Sequence, residues 1–137
     1  MNRANMALSR SVLIALALYA VASFLHHVHN AAFLSAYPNL PQSLSTLGVY
    51  AAWALVTSIG VAGYMLWRTG YRSLGLLVLG VYGMCGLDGL AHYFIAEFSA
   101  HTFSMHFTIL FEVVAGVALI VVCARAARKL PRFDVRV

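Results

Sequence analysis

Apolar residues run along this chain in four long blocks, separated by short breaks that collect Pro, Gly, Asn and Arg. A helix crosses the hydrocarbon core of a bilayer with about 20 mostly apolar residues at a rise of about 1.5 Å each. The blocks reach that length: Ser11 to Leu34, Ser45 to Trp67, Ser73 to Phe98, and Thr102 to Ala124. Pro38, Asn39 and Pro41 mark the first break, Gly70 the second and Ser99 the third, residue types that interrupt helices. None of the breaks can hold a domain of its own. The pattern therefore predicts one all-α domain over residues 1–137, an integral membrane four-helix bundle of antiparallel neighbours with a basic tail over 125–137.

Composition narrows the class. Of 137 residues, 62% are hydrophobic and 9% charged, where a soluble domain is about half apolar and a quarter charged. A disordered chain and a disulfide scaffold are excluded with it, the latter because there are two cysteines. Cys85 and Cys123 fall at different depths, so no bridge between them is expected. The nine basic residues are Arg3, Arg10, Arg68, Arg72, Arg125, Arg128, Lys129, Arg132 and Arg136. Four crossings put all of them on one side, which predicts both termini in the cytoplasm of a bacterial inner (plasma) membrane. Anionic lipid accounts for the +5 charge without any nucleic acid. Arg3 and Arg10 followed by Ala20-Val21-Ala22 imitate a cleaved leader, but Ser23-Phe24-Leu25 continues the apolar run, so an uncleaved first helix is expected.

The six histidines, His26, His27, His29, His92, His101 and His106, map to the opposite end from the basic residues. Asp88, Glu97 and Glu112 share that region with no Lys or Arg to pair with them. Ionisable groups within a membrane are costly, and they face a bundle interior or a wet cavity. His26, His29 and Asn30 share a face of the first helix, with His27 turned away by about 100°. Cys85, Asp88 and His92 form a stripe on the third helix, and His101, Met105, Thr108 and Glu112 one on the fourth. Rise arithmetic places His26, His92 and Glu112 in one layer about 9 to 12 Å below the surface. The second helix offers Tyr50, Trp53, Thr57, Gly60 and Tyr64 as wall and hydrogen-bond support. Gly80, Gly83, Gly86 and Gly89 suit close helix packing, or a flat cofactor against a smooth surface.

Imidazole with carboxylate is the donor set of zinc, copper and iron, and a facing histidine pair is that of haem. The expectation is a redox or metal-handling subunit holding a transition metal (Cu, Zn or Fe) or haem b near the non-cytoplasmic face. Its cofactor ligands are His26, His29, His92 and His106, joined by Asp88 and Glu112 for a metal. The spacing of Asp88, His92 and His106 resembles the ligand pattern in the C subunit of copper membrane monooxygenases, over three residues only, and implies copper near the outer leaflet. A second expectation starts from the size, the four spans and the acid- and tyrosine-bearing third helix, which loosely resemble the sterol-isomerase and sigma-2-receptor group. That resemblance implies metal-free acid–base chemistry on a lipid- or sterol-like molecule by His26, Asp88, Glu112 and Trp53, although the second helix lacks the acid those isomerases place there. A third is an accessory subunit of a larger membrane complex. Partners on these readings are the bilayer, other membrane subunits or a second copy, and an apolar small molecule. No nucleophile motif, nucleotide loop or Cys-x-x-Cys pair appears; whether the chain is an enzyme stays open.

Overall fold

The computed structural model describes residues 8–130; Arg3, Pro131, Arg132 and Arg136 lie outside them. The described chain is helical, with α1 at Arg10–Ala32, α2 at Thr46–Arg68, α3 at Arg72–Cys85, α4 at His92–Ile95 and α5 at Phe103–Arg128. A 3₁₀ stretch, Gly86–Ala91, joins α3 to α4 into one rod, Arg72–Ile95. Four elements, α1, α2, this rod and α5, are long and apolar enough to cross a bilayer. α1 continues unbroken through Ala20, Val21 and Ala22.

Local chemistry sets the ends. Ser9, Ser45 and Thr102 each accept a hydrogen bond from a backbone N–H of the first turn that follows, satisfying donors that have no partner within the helix. Gly70, at φ 100°, turns the chain between α2 and α3, a conformation that favours glycine. The expected boundaries hold to within a few residues. The third span stops at Ile95 rather than Phe98 because Ala96 is extended and the Asn39 amide donates to the Ile95 carbonyl at 2.8 Å. α5 runs on to Arg128, since arginines complement the negative end of a helix dipole although they end an apolar block.

α1 packs on α2 and α5, and the rod packs on α2 and α5, so chain neighbours are also spatial neighbours around the bundle. One end gathers Arg10, Arg68, Arg72, Arg125, Arg128 and Lys129, with the Arg72 guanidinium over the Trp67 ring. The interior above that basic end is apolar, built from Val12, Ala15, Leu76, Leu79 and Leu119 among others. Glycines fix the tightest crossing. A Cβ on Gly116 would lie 2.5 Å from the Gly83 carbonyl oxygen, and one on Gly83 2.8 Å from that of Gly116. Gly86 accommodates the Tyr19 ring, whereas Gly80 has nothing within 4 Å. Two of the four spaced glycines thus serve close packing, since a Cβ on Gly89 would make only ordinary contact, 3.5 Å from Ile109. Their three-residue period matches the three residues per turn of the 3₁₀ stretch they lead into.

Candidate functional site

The opposite end of the interior is polar. α1 supplies Tyr19, Ser23, His26 and Asn30, spaced 4, 3 and 4 residues apart and all buried, as one face of a 3.6-residue helix requires. α4 begins with buried His92, and α5 contributes buried Thr108 and Glu112. The loop after α1 folds inward, burying Tyr37 at 4% exposure, and the Asn39 bond to Ile95 ties that loop to the rod.

His26 and Glu112 form the centre. His26 Nε2 lies 3.7 Å from Glu112 Oε2, with 4% and 3% of the two side chains exposed. The other carboxyl oxygen, Oε1, lies 3.9 Å from His27 Nδ1. His27 was expected to point away, but the carboxyl group spans the gap between neighbouring rings. Its Nδ1 donates to the Ser23 carbonyl at 2.9 Å. The Asn30 amide nitrogen lies 3.0 Å from His26 Nε2 and 3.5 Å from His92 Nε2. An amide N–H₂ only donates, so both Nε2 atoms accept and both ring protons sit on Nδ1. Those two Nδ1 atoms are buried with no hydrogen-bond partner among the described residues.

Further unpartnered atoms extend the file in both directions. Toward the rim lies His101, whose ring is 6.2 Å from that of His92 and whose Nε2 is buried. Toward the apolar half lie Ser23, then Tyr19 and Tyr82, whose rings meet edge-on at 4.5 Å, with Thr57 beside Tyr82; Trp53, one turn nearer the rim on α2, packs against Phe24 at 5.2 Å. With Asn30 Oδ1 this makes nine buried side-chain polar atoms without a partner. Ser23 is turned toward Tyr19 and Glu112, and Thr57 toward Tyr82, so part of the set is placed to bond within itself; buried polar groups are nearly always satisfied by protein or by ordered water. Among the described residues no Lys or Arg lies at this end.

The remaining site candidates go elsewhere. His29 binds the Tyr37 hydroxyl at 2.8 Å, and the Tyr37 ring in turn packs 4.9 Å from that of His92. Burial pushes the Tyr37 phenol up to about 12, so its hydroxyl donates and His29 Nδ1 accepts. His106 joins a rim cluster, stacked 3.8 Å on Phe98 with its Nδ1 2.8 Å from the Tyr93 hydroxyl. Asp88 is exposed on the rod and makes no hydrogen bond to the central pair, although its charge reaches His27, His92 and Glu112. The stripe expected for Cys85, Asp88 and His92 is broken by the 3₁₀ stretch. Four residues of α-helix separate two side chains by about 40°, whereas the 3₁₀ turn of about 120° per residue opens that angle to about 120°. Glu97 is exposed and accepts from Ser99 at 3.4 Å.

For a metal or haem the donors are only partly assembled. His26, His92 and Glu112 share one layer; Asp88, His29 and His106 stand outside it. Among the described residues no three His, Cys, Asp or Glu side chains are placed to hold one metal ion. The His26 and His92 rings lie 5.5 Å apart, and the Asn30 amide occupies the position between their Nε2 atoms where a porphyrin iron would have to sit. Both cysteines are free. Tyr37, Ser23 and Tyr19 were not singled out from the sequence, although Ser23 and Tyr19 continue the His26 face at helical spacing. Comparison with protein-family models, with curated proteins and with solved structures finds no match to this chain.

Proposed function

We propose that this chain is an integral membrane protein, with both termini on the cytoplasmic side of a bacterial inner membrane, that takes up and releases protons at a buried His26–Glu112 pair reached from the non-cytoplasmic face. The bilayer placement is supported by the inversion of the usual soluble pattern: Leu55, Leu77, Phe94 and Val114 face outward while histidines and a glutamate fill one half of the interior. The orientation is supported by the basic side chains of the described residues, which gather at one end.

The observation that carries the proton reading is the 3.7 Å approach of His26 Nε2 to Glu112 Oε2, inside a file of buried polar atoms without partners. A carboxyl group so enclosed either keeps its own proton or needs a positive charge beside it, and His26 is the imidazole within reach to pass a proton to it or take one away. When a proton arrives on His26 Nε2, that nitrogen turns from acceptor to donor and faces Glu112. The Asn30 amide is then left with His92 Nε2 as its acceptor. His92 and His101 continue the file to the rim, and general acid–base groups work in this way when they lie within reach of one another or of one bridging water.

The test is infrared difference spectroscopy of the protein in vesicles after a pH jump. A carboxyl band that shifts in D₂O is expected, absent in Glu112→Gln, and appearing about tenfold more slowly in His92→Ala. An unchanged band in Glu112→Gln overturns the assignment. One observation favours a second reading, the metal site. Two ligands of one tetrahedral ion at bonds of about 2.0–2.2 Å lie about 3.4 Å apart, near the His26–Glu112 separation. Displacement of the Asn30 amide would then let His92 complete the set. Zinc, copper or iron bound one per chain, or a Soret band, decides for this second reading and against the first.

A further inference from the structure

At the basic end, three helix termini leave a cleft of about 410 Å³ between Ser9, Ser11, Trp67, Arg125, Lys129 and Leu130. Arg125 and Lys129 stand one helical turn apart on α5, so their charges project side by side. Like charges at this spacing repel, a cost that the dipole of the helix end offsets in part and that an anion between them would remove. The acids of the described residues, Asp88, Glu97 and Glu112, are all toward the other end. Opposite the cations, the hydroxyls of Ser9 and Ser11 sit 3.2 Å apart, and the buried Trp67 ring with Leu130 forms an apolar wall. Cations and hydroxyls suit a phosphate; the adjoining wall suits the glycerol and first acyl carbons attached to it.

We propose that this cleft binds the headgroup of an anionic phospholipid. Basic pockets between helices at the cytoplasmic surface favour such headgroups, each cation contributing about 1 kcal/mol. The inference rests on the bilayer placement but not on the polar file, and failure of that placement shows separately, as a chain that leaves the membrane fraction without detergent.

The experiment is native mass spectrometry of the delipidated full chain titrated with phosphatidylglycerol, phosphatidylcholine or inorganic phosphate. Phosphatidylglycerol is expected to bind at least tenfold more tightly than either of the others. R125A/K129A should weaken it about 30-fold, the combined loss of two such cations. R68A/R128A, which removes equal charge outside the cleft, should weaken it less than threefold. Both pairs are largely solvent-exposed, so all variants should keep the parent thermal midpoint without lipid. Equal losses in the two double variants would reduce the effect to diffuse surface charge. Phosphate binding as tight as the lipid would make this a site for free anion. Either result, or no preference for the anionic lipid, overturns the proposal.

Discussion

The two halves of the bundle interior are built on opposite rules. Toward the basic end, α1, the rod and α5 meet through Val12, Leu79 and Leu119, each at 0% exposure, and through glycines that bring the backbones together. Toward the other end, the same three helices meet through His26, His92 and Glu112, with polar atoms that find no partner. In the proposed bilayer setting, helices would gain little by hiding apolar surface from one another, so association would rest on fit and on hydrogen bonds. The apolar half has the fit, and the polar half, though tied by bonds such as His29 to Tyr37, leaves several buried atoms unbonded. The comparison assigns stability to one half and chemistry to the other.

Four substitutions sharpen or break that division. Gly116→Ala puts a methyl against the Gly83 backbone and should cost about 3 kcal/mol, read as the unfolding midpoint in detergent; a neutral result would mean the two helices separate freely. Glu112→Met removes the cost of burying an acid, and because His26 then sheds its proton no charge is left unpaired; the fold should stay intact and gain about 1–2 kcal/mol while proton uptake is abolished. A strongly destabilised Glu112→Met would show that the polar half also holds the bundle together. Tyr37→Phe removes the bond to His29 and should cost about 1 kcal/mol at neutral pH. The phenol is held neutral up to about 12, above its ordinary 10. Its stabilising effect is therefore complete below pH 10 and lost as pH rises through 12, and unfolding measured across that window should show the loss in the parent and not in Tyr37→Phe. Gly80→Ala, with open space around it, should gain about 0.5 kcal/mol from helix propensity and so separate packing glycines from idle ones.

Hydropathy made the four helices legible because their length and apolar run carry the signal without tertiary help. The layer of His26, His92 and Glu112 was equally legible, since rise per residue is fixed and the helix ends were placed to within a few residues. What failed was angular. Asp88 was set beside His92 on the assumption of 100° per residue, and the tighter 3₁₀ turn carries it to an exposed position on the rod. Tyr37 stands just before Pro38 in the first break, where no periodicity announces a loop that folds back over a helix end. His106 was grouped by residue type, but a ring packs where its neighbours offer a face, and Phe98 and Tyr93 offered theirs.

The Gly83–Gly116 crossing also has a mechanical meaning. It is the point where the rod and α5 come closest, and it lies about 6 Å along α5 from Glu112 and about 20 Å from the start of that helix at Phe103. Any rocking of α5 about this fulcrum moves the mouth roughly three times as far as the carboxyl group. Access can therefore widen and narrow while the distance between His26 and Glu112, across which the proposed proton transfer would run, hardly changes.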